Sequence, residues 1–122
     1  MHPSLTSVQR IDDLDQLLAE SEKYPLLLFK HSRSCGISAE ALDELIEHLN
    51  SVNSSAALPS HPPRYAVVTV QTHRDVSNAV AARLGVRHET PQAIIVRGGK
   101  AVWSASHFRV NAASIEKALN AS

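Results

Sequence analysis

The chain has 122 residues, with twelve basic and twelve acidic side chains, a formal charge of zero and only 4% aromatic residues. A neutral balance supplies no global field toward nucleic acid or an anionic membrane surface, and so few aromatics argue against a platform for stacking bases. No stretch approaches the ~18 apolar residues of a membrane span and no basic segment leads into an apolar signal region, so the expectation is one cytoplasmic domain over residues 1–122.

Residues 1–10 read as a polar lead-in. Ile11, Leu14, Leu17 and Leu18 then recur at helical spacing, with Asp12 and Asp13 in the first turn, and predict a helix over 11–22. Pro25 closes it, and Leu26-Leu27-Leu28-Phe29 opens a buried strand over 26–30. A polar turn follows, and from Ile37 the apolar positions Ala41, Leu42, Leu45, Ile46 and Leu49 repeat at three and four, which predicts a second helix. Residues 50–63, with breakers at Pro59, Pro62 and Pro63, form a loop.

Tyr65 to Val70 is a second strand by its β-branched content, and Val76, Ala79, Val80 and Leu84 mark a helix that Gly85 caps. Ala93 to Val96 and Ala101 to Ala105 flank Arg97-Gly98-Gly99-Lys100, the signature of a tight antiparallel hairpin. A final helix starts after Asn111 as N-cap and buries Ala112, Ile115 and Leu119. The order is βαβ followed by ββα behind an extra helix: an α/β fold with a mixed four-stranded sheet.

The only cysteine, Cys35, stands where the first strand gives way to the second helix. Unpaired N–H groups and the helix dipole favour an anion there, which predicts a thiol pKa below the free value of roughly 8.5 and a reactive thiolate. Lys30, His31 and Arg33 are candidates to assist it or to hold a carboxylate of a thiol substrate. Three residues on, where a dithiol oxidoreductase has its second cysteine, stands Ser38, able to donate to the thiolate but not to close a disulfide. The competing reading makes Cys35 a small buried hydrophobe. His48, His61 and His73 lack metal-ligand company and read as surface residues, so no metal site is predicted.

A cysteine at the helix start, followed much later by Thr90-Pro91 just before the third strand, resembles the thioredoxin fold, in which that proline is cis and faces the reactive sulfur. Phe29-Lys30-His31-Ser32 leading into Cys35-Gly36-Ile37-Ser38, then Val86 to Gln92, then Val102-Trp103 with Ser106-His107-Phe108, is similar to the monothiol bacilliredoxin-like family. The resemblance runs from about residue 11 to the C-terminus. It implies a thiol-disulfide oxidoreductase that removes bacillithiol from mixed disulfides on client proteins, with Cys35 as the catalytic residue and bacillithiol as co-substrate rather than bound cofactor. Thr90, Pro91 and His107 fall in its motifs, Ser34 stands where the family has Thr, and Gly36 replaces the proline that usually follows the cysteine. Trp103 reads as core and His88 and Glu89 as groove or surface turn.

Two other functions follow from the same residues. Loss of a second cysteine also suits a binding or adaptor module in which Cys35 is incidental. Cys35-Gly36-Ile37-Ser38 also resembles the Cys-Gly-Phe-Ser of glutathione-dependent, iron–sulfur-carrying monothiol glutaredoxins, but Gly98-Gly99 is followed by Lys100 rather than their aspartate.

Overall fold

Leu26–His31 forms the central strand of the sheet, and every one of its six residues is buried because strands flank it on both sides and helices cover both faces. The computed structural model describes residues 2–53 and 62–121. In chain order these form β1 (Leu5–Ser7), α1 (Ile11–Glu20), β2 (Leu26–His31), α2 (Gly36–Asn53), β3 (Arg64–Thr69), α3 (Arg74–Leu84), β4 (Gln92–Arg97), β5 (Lys100–Ser106), a 3-10 turn (His107–Arg109) and α4 (Ala112–Ala121). The strand order is β1-β3-β2-β4-β5, parallel from β1 to β2 and antiparallel from β2 to β5.

The mixed α/β sheet is the one expected, with one strand more. β1 lies in the supposed polar lead-in, where two of its three residues are exposed and no period is visible. It exists through pairing with β3, continued by Val8, whose N–H donates to the carbonyl of Val67 at 2.9 Å. α2 continues past Leu49 to Asn53, and residues 54–61 of the predicted loop lie outside the described residues.

Alternation along the strands divides the core in two. Leu27, Phe29, Val67, Ala93 and Ile95 face α2 and α4 together with Leu45 and Ile115. Leu26, Leu28, Ala66, Val68, Ile94 and Val96 face α1 and α3 together with Leu14, Val76 and Val80. Each fully buried aliphatic or aromatic side chain contributes about 1.5–3 kcal/mol relative to exposure. Local chemistry punctuates these elements as the sequence implies. Gly85 caps α3 with φ +62°, Gly98 and Gly99 turn the hairpin at φ +58° and +76°, and Asn111 Oδ1 accepts the N–H of Ser114 at 2.9 Å. No helix among the described residues is long and apolar enough to cross a membrane.

The register brings the functional segments to one end. His31 pairs with Thr69, Lys30 with Gln92, and Gln92 with Ser106. The β2–α2 turn, the β3–α3 turn, the residues preceding β4 and the 3-10 turn after β5 therefore share one end of the sheet.

Candidate active site

Cys35 is half-buried and occupies the N-cap position of α2: its carbonyl accepts the N–H of Ala39 at 3.1 Å. Gly36, Ile37 and Ser38 make up the first turn, whose N–H groups have no partner within the helix. Gly36 is exposed, and a Cβ built on it would meet nothing within 4 Å. Across the same end of the sheet the Thr90–Pro91 bond is cis, with Thr90 half-buried and Pro91 buried. The Pro91 carbonyl accepts the N–H of His107 at 3.0 Å, which ties the 3-10 turn to this loop. His107 itself is exposed, with φ +55°.

Ser38 is fully buried and directed beneath the turn. Its Oγ accepts the N–H of Ser32 at 2.9 Å and lies 2.8 Å from His31 Nδ1. Burial, and then the Arg33 charge, hold the His31 pKa below its usual value and favour the neutral ring, which shares a hydrogen bond with Ser38 through Nδ1. The His31 ring also stacks on Phe29, with centroids 5.9 Å apart. The Ser38 hydroxyl is thus occupied with His31 and the Ser32 N–H beneath the turn.

Lys30, one residue earlier, points to the opposite face of β2. Its Nζ donates to His88 Nδ1 at 3.0 Å, with Ser77 Oγ 3.4 Å from the same nitrogen. The Lys30 side chain is fully buried, and desolvation pushes its pKa down to about 8. Gln92 is its register partner, and Gln92 Nε2 donates to the carbonyl of Arg87 at 2.9 Å. Gln92 Oε1 is buried without a hydrogen-bond partner. Burial, then Lys30 and Arg74, lower the pKa of His88.

A further residue belongs to the site and was not anticipated. Gln71, in the β3–α3 turn, accepts the N–H of Arg33 at Oε1 (3.1 Å), while its Nε2 donates to Ser32 Oγ (2.6 Å) and Ser34 Oγ (3.0 Å). No motif surrounds it; a glutamine in a turn is an ordinary surface residue until the sheet sets that turn beside Cys35. Arg33 and Ser34 are exposed.

Beside the first two turns of α2 lies an open groove of about 440 Å³, bordered by Ile37, Glu40, Asp43, His107 and Phe108. Phe108 is 71% exposed. Trp103 packs against the core on the α2 side, as expected. His48 corrects the surface reading: it is buried, and its Nε2 lies 2.9 Å from Tyr65 Oη, because its position on α2 turns inward over β3. His73 is half-buried ahead of α3, and His61 lies outside the described residues. Among the described residues no three His, Cys, Asp or Glu side chains gather as a metal site.

Known structures agree with this architecture. A solved structure described as having a thioredoxin fold superposes with a TM-score of 0.80 at 28% identity, covering 95% of this chain and 94% of that one. The thioredoxin of Fasciola hepatica gives 0.71 at 13% identity, with 95% and 97% covered, and a poplar thioredoxin h gives 0.70 at 19%, with 97% and 95% covered. These last two speak for the fold alone. The family description "monothiol bacilliredoxin BrxC" matches residues 6–115, the cis Thr90–Pro91 bond and the lone N-cap cysteine included, and the chain belongs to that family.

Proposed function

We propose that the protein removes bacillithiol from mixed disulfides on client proteins, with Cys35 as its only reacting group. The observation that carries this reading is a sole cysteine, half-exposed at the N-cap of an 18-residue helix, with a serine where a second thiol would stand. The Cys35 thiolate attacks the bacillithiol sulfur; the client–bacillithiol S–S bond breaks as the Cys35–bacillithiol bond forms, and the client leaves as a thiolate that takes a proton from water. A second low-molecular-weight thiol, as its thiolate, then attacks the bacillithiol sulfur on Cys35. This releases a small-molecule disulfide and restores the Cys35 thiolate, so the client is reduced and the small thiol oxidised. A reducing cytoplasm would supply that thiol.

Of the three basic residues near the turn, Arg33 alone is exposed, so the carboxylate groups of bacillithiol fall to it. The groove beside Phe108 and Ile37, the latter two residues along the chain from Cys35, gives a client segment room beside the first turns of α2. Intact-mass measurement after incubation with bacillithiol disulfide and, separately, glutathione disulfide tests the proposal. The expected result is a bacillithiol adduct on the wild-type protein, absent from Cys35→Ser, together with complete loss of client release in that variant. No adduct from folded wild-type protein, or continued release by Cys35→Ser, would overturn it and favour an adaptor.

A further inference from the structure

We infer that Gln71 is a positioning residue for the chemistry at Cys35. The inference rests on the exchange reading above for its biological purpose, but its geometry is independent of which disulfide is attacked. All the hydrogen-bonding groups of one carboxamide are directed at three consecutive residues, Ser32, Arg33 and Ser34, which immediately precede the cysteine. The acceptor oxygen holds a backbone N–H and the two N–H donors hold hydroxyls on either side of it. This pattern fixes both the path of the turn and the orientation of its side chains.

The clamp has a rigid base. Val70 N–H donates to the carbonyl of His31 at 2.9 Å, continuing the β2–β3 ladder one residue past Thr69, and His73 N–H donates to the Thr69 carbonyl at 3.0 Å and closes the turn. Gln71 therefore reaches across from a backbone already registered to β2. From below, Ser38 holds the N–H of Ser32 at 2.9 Å. The turn is gripped from two sides, and Cys35 is the next residue along the chain.

A purely stabilising role suits these bonds poorly. Gln71, Arg33 and Ser34 are exposed, and hydrogen bonds in water-accessible positions add little net stability. Disulfide exchange, by contrast, needs the attacking sulfur in line with the bond it breaks, and small misplacement is expensive in rate.

The test uses Gln71→Leu, which keeps bulk and removes every bond, and Gln71→Glu, which keeps an acceptor for the Arg33 N–H but loses both donors and adds an anion beside the turn. Two readouts are taken on the full chain: the pH–rate profile of Cys35 alkylation by iodoacetamide, and kcat and KM for release of a bacillithiolated peptide. The expected result for Gln71→Leu is a fall in kcat on the order of tenfold or more with little change in KM. For Gln71→Glu it is an alkylation profile displaced to higher pH, because a like charge disfavours the thiolate. Thermal midpoints of both variants stay close to that of the wild type.

Wild-type rates and profiles in both variants would overturn the inference, and so would rate losses that merely follow a loss of thermal stability. Alkylation that depends on Gln71 in a protein giving no bacillithiol adduct would instead overturn the bacillithiol reading and leave the positioning role in place.

Discussion

Lys30 and His31 are adjacent on β2 and both buried, yet they sit in opposite chemical circumstances. On the α2 side, His31 is neutral, stacked on Phe29 and bonded to Ser38, whose Oγ also takes the Ser32 N–H. On the α3 side, Lys30 is an ammonium group with His88 as partner, beside a Gln92 Oε1 that has none. Burial of polar groups is tolerable when each is paired without a net charge, but it weakens the fold when a cation must be desolvated. The turn that carries Cys35 is built on the first kind of cluster; the second sits across the sheet from it.

The largest effect on stability is expected from Lys30→Met, which removes the buried charge at nearly constant volume. Because the folded pKa is about 8 against 10.5 unfolded, the unfolded chain binds more protons between these values and wild-type stability rises with pH across that interval. Lys30→Met should thus be more stable than wild type at pH 7 by roughly 2 kcal/mol, with the gap narrowing toward pH 10. Urea denaturation at both pH values measures it, and a variant less stable at pH 7 would break the comparison.

Ser38→Ala is expected to act in the opposite direction. It strands the His31 Nδ1 and the Ser32 N–H, at a cost of about 1–2 kcal/mol, and denaturation at pH 7 reads the loss. A smaller signature appears in acid. Burial lowers the pKa values of His31, His48 and His88, so below about pH 6.5 the unfolded chain takes up protons first and stability falls. Substituting His31 by Gln should flatten part of that slope in thermal melts recorded from pH 7 to 5. The smallest change concerns the turn itself: Gly36→Ala, placed in open space at the helix start, should stabilise by about 0.5 kcal/mol, readable as a rise in Tm.

Much of the fold was legible because short-range chemistry specifies it. Gly85, Gly98-Gly99 and Asn111 each announce their turn or cap, and Leu26 to Phe29 announces a strand. β1 was not, since one buried leucine in three residues carries no period and the strand is made by a partner some sixty positions away. At the site, Cys35 and Thr90-Pro91 stood out as rare residues at punctuated positions. The setting of Lys30 did not, because a lysine ending an apolar run looks like the strand's way out to solvent, while its partner His88 lies 58 positions away. Gln71 was hidden for the same reason: its partners Ser32, Arg33 and Ser34 belong to a turn that it meets only after the sheet has formed. Ser38 stood out by its spacing from Cys35, but its hydroxyl serves Ser32 and His31.

Ser38 lies in a fully enclosed spot that a thiol would fill poorly. A cysteine at this position would bring a weaker donor and acceptor to a fully enclosed spot where two nitrogens depend on the hydroxyl. A Ser38→Cys substitution would therefore place a second thiol there only by loosening the histidine and the turn beneath Cys35. Introducing a thiol at position 38 without that loss would require a compensating change at position 31.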